Sequence, residues 1–176
     1  MEEKIIQAEF ANERVIAVDN DLTRKFYDKS NLGEPKEKGT FQYSLLEALY
    51  LIEKKKMCVK TPRKELDFDS FRKKAQKIEP NFWIRFVVFR DMRNRGYILK
   101  SAFKFGADFR VYDRGIKPGQ DHAKWILYPV AETEITTWYE FSAKTRVAHS
   151  TRKRLLIAVV DEENDVTYYE IKWTRP

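Results

Sequence analysis

The hydrophobic pattern of the N-terminal half predicts a mixture of strands and helices. Residues 14–18 are a short run rich in β-branched side chains, and a turn-forming Asp-Asn-Asp follows them, which is typical of a strand. Residues 31–39 contain two glycines and a proline and therefore predict a loop. Ser44-Leu-Leu-Glu47 is a capping box and predicts the start of a helix, whose lysine-rich end lies at residues 54–56.

Two more helices follow along the chain. Residues 67–78 place apolar side chains at helical spacing, and Glu79-Pro80 ends this helix because proline lacks the N–H that a helix interior requires. A third helix is predicted over residues 81–95, with Gly96 just beyond its end, where glycine is common. We place a domain boundary near the start of this helix, at residue 82.

The C-terminal half changes to strands of alternating hydrophobic and polar residues. Five strands are predicted, at residues 97–100, 103–112, 124–130, 155–160 and 166–173. A helix at residues 140–152 separates the third strand from the fourth, and a turn at residues 161–165 joins the last two. The sequence therefore predicts an α+β or α/β protein, with a mixed helix and strand domain at residues 1–82 and an α/β domain with a central mixed sheet at residues 83–176.

Composition limits the classes of protein to which the chain can belong. Hydrophobic residues make up 43% and aromatic residues 14%, which is typical of a globular protein. The longest apolar runs are too short to span a bilayer, and Met1-Glu-Glu-Lys4 has no apolar signal region. Cys58 is the single cysteine, which excludes an internal disulfide and fits a reducing compartment. We therefore expect a cytoplasmic protein with no membrane partner.

The charge is positive and unevenly distributed. The formal net charge is +7, of which residues 83–176 carry +5 and residues 1–82 carry +2. A basic half favours a polyanionic partner such as nucleic acid. A highly charged surface of the kind found in thermophiles would give the same balance, so charge alone leaves both interpretations open.

Groups suited to acid–base chemistry gather in two segments of the C-terminal half. Tyr112 and His122 lie at opposite ends of a loop with two glycines, and Arg114 lies between them. In the second segment Arg146, His149 and Lys153 are spaced i, i+3 and i+7, as on one face of a helix and its C-terminal edge. Folding back of the loop would bring Tyr112 and His122 to one cleft, where Arg114 would attract a phosphate. The basic helix face beside the loop would make a phosphate site.

Such a set can cleave RNA without a metal. The reaction needs a base for the ribose 2′-OH, an acid for the leaving 5′ oxygen and a cation for the charge on phosphorus. Histidine suits the acid, whereas a tyrosine phenol, with an ordinary pKa of about 10, needs nearby cations to act as the base. The ordinary alternatives are a packed strand-end tyrosine, a surface histidine and a solvated lysine. The chemistry alone does not choose between His122 and His149.

The same residues resemble a known family. The segments Phe105-Gly-Ala-Asp-Phe-Arg-Val-Tyr112-Asp-Arg-Gly, Asp121-His122 and Arg146-Val-Ala-His-Ser-Thr-Arg-Lys153 are similar to those of the archaeal tRNA-splicing endonucleases. Residues 44–52, 90–100 and 166–171 also resemble that family, so the resemblance covers nearly the whole chain. One departure is Thr151, where the family commonly has valine.

The resemblance implies a role for each candidate residue. Tyr112 would be the general base, His122 the general acid and Lys153 the cation of the transition state, in a nuclease-like C-terminal domain that needs no metal or cofactor. The substrate would be precursor tRNA with a bulge-helix-bulge shape, and the products a 2′,3′-cyclic phosphate and a 5′-hydroxyl. Arg146 and Trp173 would clamp a flipped bulge base, although Trp173 could equally pack against the last strand.

The resemblance also implies an assembly. Members of this length form homotetramers, as dimers of dimers, in which an acidic loop of one subunit inserts into a neighbour. The acidic side chains of the turn at residues 161–165 fit that loop; they are Asp161, Glu162, Glu163 and Asp165. From the sequence alone, a plain hairpin turn is the simpler interpretation.

Two other functions compete with this one. A metal-dependent, restriction-type DNA nuclease would use an acid with a Glu-x-Lys, and Asp161 with Glu170-Ile-Lys172 has that form. Four Glu-x-Lys triplets occur in the chain, so the pattern is near the chance level. The other alternative is a non-catalytic RNA-binding or structural subunit, against which the complete set of Tyr112, His122 and Lys153 argues.

Overall fold

The computed structural model describes residues 5–176 and divides into two compact units, Met1–Trp83 and Ile84–Pro176. Residues 1–4 lie outside the described part. The expected absence of a signal peptide and the first Glu-x-Lys triplet both rest on these residues. The division of the chain into folding domains at residues 1–82 and 83–176 stays a prediction, because a compact unit need not fold alone.

The first unit is built on a mixed sheet covered by helices. Its described elements are β1 (Ile6–Ala11), β2 (Arg14–Val18), α1 (Asp21–Ser30), β3 (Glu34–Lys36), β4 (Thr40–Tyr43), α2 (Leu45–Glu53), β5 (Met57–Lys60), β6 (Glu65–Leu66) and α3 (Phe68–Ile78). The strand order is β3-β4-β2-β1-β5-β6, in which β1 and β5 are parallel and the other neighbours antiparallel. Helix α2 is the most buried helix of this unit, with Leu45, Leu49 and Leu51 almost inaccessible to solvent.

The predicted strand at residues 14–18 and the helices that begin near residues 45 and 68 are confirmed. The turn predicted at residues 19–21 is instead the start of α1, because the Asn20 side chain accepts hydrogen bonds from the backbone N–H groups of Leu22 and Thr23 and so caps the helix. The loop predicted at residues 31–39 contains β3, which pairs with β4 at the edge of the sheet.

Helix α4 (Phe82–Asn94) leads into the second unit and ends as predicted. Gly96 has a positive φ of 91°, and the N–H groups of Gly96 and Tyr97 donate to the carbonyls of Arg93 and Met92. This is a Schellman motif, which only a residue in the left-handed region can close.

The rest of the second unit is a five-stranded mixed sheet with one further helix. Its described elements are β7 (Ile98–Ser101), a 3₁₀ turn (Phe103–Phe105), β8 (Phe109–Tyr112), β9 (Trp125–Ala131), α5 (Trp138–Ser150), β10 (Arg154–Val160) and β11 (Val166–Ile171). The strand order is β11-β10-β9-β8-β7, and only β9 and β10 are parallel in this described sheet, which agrees with α5 as their connection. The predicted α+β fold with a central mixed sheet is confirmed.

The two faces of this sheet carry different side chains. Ile126 and Leu155 lie on the face that α5 contacts, where they pack with Ala148 of that helix. On the other face the Phe89 ring of α4 lies 6.1 Å from that of Phe109. Because side chains alternate along a strand, Tyr112 of β8 points to the α5 side, beside Ile98 of β7.

Two predicted strands were too long. The strand expected at residues 103–112 is a 3₁₀ turn followed by β8, because Gly106 adopts φ +71° and the Ala107 N–H donates back to the Ala102 carbonyl. The last strand ends at Ile171, so Trp173 lies beyond it. No helix in residues 5–176 has the length and apolar character that crossing a bilayer requires.

Candidate active site

A polar cleft of about 460 Å³ opens on the second unit beside Tyr112. The groups suited to acid–base and phosphate chemistry that line it are Arg110, Tyr112, Asp121, His122 and Lys153. They come from the end of β8, from the loop that follows it and from the turn after α5. Phe105, from the 3₁₀ turn, supplies an aromatic wall.

Tyr112 is the last residue of β8 and is only 5% exposed. Its pairing with Ile98 fixes the direction of the side chain. The ring lines the cleft. The Tyr112 hydroxyl forms no hydrogen bond within residues 5–176.

The loop between Tyr112 and His122 folds back on itself, as expected. The Lys124 N–H donates to the Val111 carbonyl at its base, and the Lys124 ammonium contacts the Asp113 carboxylate at 2.7 Å. That contact, with a hydrogen bond from the backbone of Arg114, lowers the pKa of Asp113. The loop is thus closed by an ion pair next to Tyr112.

Two turns inside this loop carry His122 to the cleft. Gly115 and Gly119 have φ values of 80° and 93°, which other residues rarely adopt. The backbone N–H of His122 donates to the Asp121 carboxylate at 2.6 Å. The imidazole is exposed and makes no hydrogen bond to any residue between 5 and 176, so it can reach a ligand.

Lys153 is placed by the end of α5 rather than by the helix itself. The helix ends at Ser150, Arg152 adopts a left-handed φ of 55°, and the Lys153 N–H donates to the Ala148 carbonyl at 2.8 Å. With the bond from the Arg152 N–H to the His149 carbonyl, this is a second Schellman motif. The Lys153 ammonium donates to the Thr151 carbonyl at 3.1 Å and forms no ion pair with any described carboxylate.

The predicted RNA-binding residues lie outside this cleft. The Arg114 guanidinium stacks 5.1 Å from the ring centre of Tyr97. Arg146 is exposed on α5, and Trp173 is 57% exposed, with its ring 4.8 Å from that of His149. The structure therefore separates the two histidines, because His122 lines the cleft and His149 packs against Trp173.

The acidic turn forms the β10–β11 hairpin. The Asp161 carboxylate accepts hydrogen bonds from the backbone N–H groups of Glu163 and Asp165, both at 2.9 Å. The Glu162 N–H donates to the Glu132 carboxylate. Asp161 therefore shapes the turn, while Glu162, Glu163 and Asp165 are exposed.

The geometry does not support the metal-dependent alternative. Glu170 pairs with Leu156 near the start of β10, whereas Asp161 follows Val160 at its other end. This places the two acids about 16 Å apart along the strand, because each residue spans about 3.3 Å. Glu170 also accepts a hydrogen bond from the Trp125 indole at 2.7 Å, which lowers its pKa. No described cluster of three His, Cys, Asp or Glu could hold a metal ion.

Among the residues that line the cleft, Phe105, Arg110 and Asp121 had no predicted role. For Arg110 a signal was available, since it precedes Tyr112 by two positions and a strand turns such residues to the same face. For Phe105 there was none, because the predicted long strand concealed the 3₁₀ turn that carries it.

Comparison with known proteins identifies the class of this fold and cleft. Residues 82–168 match the family model of the tRNA intron endonuclease catalytic C-terminal domain, and residues 6–72 match that of the tRNA intron endonuclease N-terminal domain. The second unit is therefore the catalytic domain of an RNA-processing endonuclease.

Full-length relatives agree with the domain matches. The tRNA-splicing endonuclease of Thermococcus onnurineus is 38% identical over 170 residues, 97% of each chain. That of Methanothermobacter thermautotrophicus is 36% identical over 97% of this chain and 99% of its own, and that of Nanoarchaeum equitans is 42% identical over 75% and 88%. The chain belongs to the tRNA intron endonuclease family, as its sequence motifs indicated, and it is an enzyme of that family.

Proposed function

We propose that this endonuclease excises introns from precursor tRNA at bulge-helix-bulge sites, without a metal ion. The observation that carries the proposal is the cleft that Tyr112, His122 and Lys153 share although they come from three separate segments. Together they offer a phenol, an imidazole and an ammonium, which can act as the base, the acid and the cation that cleavage by the 2′-OH requires.

Each residue has one task in the proposed reaction. Tyr112, as the phenolate, takes the proton of the ribose 2′-OH, and the 2′ oxygen attacks the adjacent phosphorus. The bond from phosphorus to the 5′ oxygen breaks, and His122 donates a proton to that oxygen. Lys153 stabilises the negative charge on the phosphoryl oxygens in between. The products are a 2′,3′-cyclic phosphate and a 5′-hydroxyl, and the reaction needs no oxidant and no water.

We further propose that residues outside the cleft hold the RNA. Arg146 and the exposed Trp173 are suited to clamp a flipped base through stacking and cation–π contact. The Arg175 guanidinium lies 5.4 Å from the centre of the Trp173 ring, and the His149 ring lies 4.8 Å from it. Trp173 is still 57% exposed, so part of its ring is open to a ligand. Arg114, exposed in the loop between Tyr112 and His122, would contact the RNA backbone.

The proposed assembly is a homotetramer, a dimer of dimers, joined by the acidic turn. Glu162, Glu163 and Asp165 present three exposed carboxylates on a turn that Asp161 holds in shape. The chain as a whole carries a net charge of +7, these acids included, so a second copy offers complementary basic surface. We place the enzyme in the cytoplasm, where its single half-buried Cys58 would stay reduced.

The decisive test is cleavage of a bulge-helix-bulge RNA by the purified protein in EDTA, followed by analysis of the ends. We expect a 2′,3′-cyclic phosphate and a 5′-hydroxyl. The His122→Ala variant should lose about 10²–10⁴-fold in single-turnover rate, the range for general acid–base groups. Cleavage that requires a divalent ion, or ends without a cyclic phosphate, would refute the mechanism.

A sulfur substitution separates the acid from the base. An RNA with sulfur in place of the 5′ bridging oxygen has a leaving group that departs without protonation, because a thiol is far more acidic than an alcohol. This substrate should restore the rate of His122→Ala but not that of Tyr112→Phe. His149→Ala is the matched histidine control, and it should keep most of the chemical rate at saturating RNA. Equal rescue of both cleft variants would remove the assignment of His122 as the acid.

A further inference from the structure

Arg110 is a second cation in the cleft, and the proposed mechanism gives it no role. It lies two residues before Tyr112 on β8, so both side chains turn to the same face of the sheet. Both line the cleft together with Lys153. Arg110 is half-buried, and its Nε atom is fully shielded from solvent.

This guanidinium has neither a hydrogen-bond partner nor an ion-pair partner in the part of the chain that the structure describes. The buried Nε has no hydrogen-bond partner, and Arg110 takes part in no ion pair. Its partners across the neighbouring strands are Lys100 and Ile126, a like charge and an apolar residue. Asp121 also lines the cleft, but its carboxylate accepts the backbone N–H of His122 and forms no ion pair with Arg110.

An unpaired, partly buried cation such as Arg110, directly opposite the like charge of Lys100, costs folding free energy. Such an arrangement is maintained where an anion completes it. A guanidinium presents its donors in a planar fork that matches two oxygens of one phosphate, which the compact ammonium of Lys153 does not. The ammonium also has one donor committed to the Thr151 carbonyl.

We propose that Arg110 is a further catalytic residue, which binds the non-bridging oxygens of the phosphate that is cleaved. It orients the phosphorus toward the 2′ oxygen and, with Lys153, stabilises the charge that develops on those oxygens. This inference rests on the proposed function, because it assumes that the cleft holds the phosphate that is cleaved. It adds no bond-making step.

Substitution of Arg110 tests the proposal through rate and stability together. Arg110→Gln should reduce the single-turnover rate at saturating RNA by about 10²–10³-fold, as removal of one donor to a developing oxyanion does. Its melting temperature should equal or exceed that of the wild type, because a destabilising charge is removed. Arg110→Lys should recover part of the rate, and Arg14→Gln, an exposed strand arginine in the first unit, is the matched control. A lower melting temperature with an unchanged rate would overturn the proposal and assign Arg110 a structural role.

Sulfur at each non-bridging oxygen of the cleaved phosphate shows whether the contact is direct. In the wild type, sulfur at either position should slow the reaction, because Arg110 binds both oxygens and sulfur accepts hydrogen bonds poorly. In Arg110→Gln this slowing should shrink at both positions, since the donors are gone, and the two changes should be non-additive. Full additivity at both stereoisomers would refute the contact. Failure of the wild type to cleave the oxygen substrate would instead refute the proposed function, so the two failures are distinguishable.

Discussion

Lys153 owes its position to the residue that precedes it. Arg152 closes the Schellman motif at the end of α5 with φ +55°, a conformation that costs a residue with a side chain about 1–2 kcal/mol. Without that reversal the chain after Ser150 would continue along the helix axis. The backbone conformation of Arg152, rather than its charge, therefore directs Lys153 into the cleft.

Substitution of Arg152 separates the effect of its backbone conformation from the effect of its charge. Arg152→Gly should keep the cleavage rate and match or exceed the wild-type stability, because glycine adopts a positive φ freely. Arg152→Val should be less stable than the wild type, because a β-branched residue is more strained at this positive φ than arginine. It should also lose about 10²-fold in rate, since a small displacement of a catalytic group has that effect. Thermal melts and single-turnover cleavage measure both, and a fast Arg152→Val enzyme would contradict the argument.

Among individual residues, the sequence grouped Tyr112, His122 and Lys153, which line one cleft, but it did not show how the backbone brings Lys153 there. The i, i+3, i+7 spacing put Arg146, His149 and Lys153 on one helix face, and the helix in fact ends at Ser150. A positive φ at an arginine leaves no trace in the sequence, because such positions usually carry glycine or asparagine. The sequence could place Arg110 on the face of Tyr112, but it could not show that the half-buried Arg110 lacks a partner, since that depends on what the neighbouring strands place opposite it.

Among the elements, Glu170 connects three adjacent strands. From β11 it accepts the Trp125 indole N–H of β9 and contacts the Arg154 guanidinium of β10 at 3.1 Å. The Trp125 hydrogen bond and the Arg154 charge lower the pKa of Glu170. A carboxyl group whose pKa is lowered by folding stabilises the fold above its ordinary pKa of about 4.3 and loses that contribution as the pH falls through the folded value.

Glu170→Gln should therefore lower the melting temperature at pH 7, and the deficit should shrink in acid. The glutamine oxygen can still accept the indole N–H, so the loss reports mainly the charge. Glu9→Gln, at an exposed glutamate on β1, is the control and should change little. Cleavage in EDTA should be retained in Glu170→Gln, whereas a metal-dependent nuclease would be inactivated. A deficit that is the same at pH 7 and at about pH 3 would contradict the assigned electrostatic role.

The elements predicted best were those with long, regular periodicity. Helices α2, α3, α4 and α5 were found near their observed bounds, as were the strands β9 and β10 that are buried in the sheet. Helix α1 was missed because Asp-Asn-Asp also begins turns, and only the hydrogen bonds of Asn20 decide between the two. The 3₁₀ turn before β8 was missed because its phenylalanines imitate a strand pattern, although Phe103 is 64% exposed.

For the whole molecule, the unusual feature is an acidic turn on a basic chain. Residues 161–165 contain four acids, and the chain as a whole carries a net charge of +7. In a monomer these exposed carboxylates would gain little, because solvent screens isolated surface charges. In an assembly they would meet the basic surface of another copy with less solvent between them. In the proposed tetramer, this difference would make the oligomeric state sensitive to the turn.

The last prediction follows from the division of roles within that turn. Asp161 shapes the hairpin, so the variant should leave it intact and neutralise only the exposed acids, as in Glu162→Gln/Glu163→Gln/Asp165→Asn. We expect its mass, measured by light scattering after size exclusion, to fall from that of a tetramer to that of a dimer or monomer. The control Glu9→Gln/Glu13→Gln/Glu37→Gln makes the same change in net charge elsewhere and should remain a tetramer. Because the proposed contact is ionic, raising the salt should dissociate the wild type in the same direction. Equal masses for the turn variant and the wild type would show that the turn is only a hairpin.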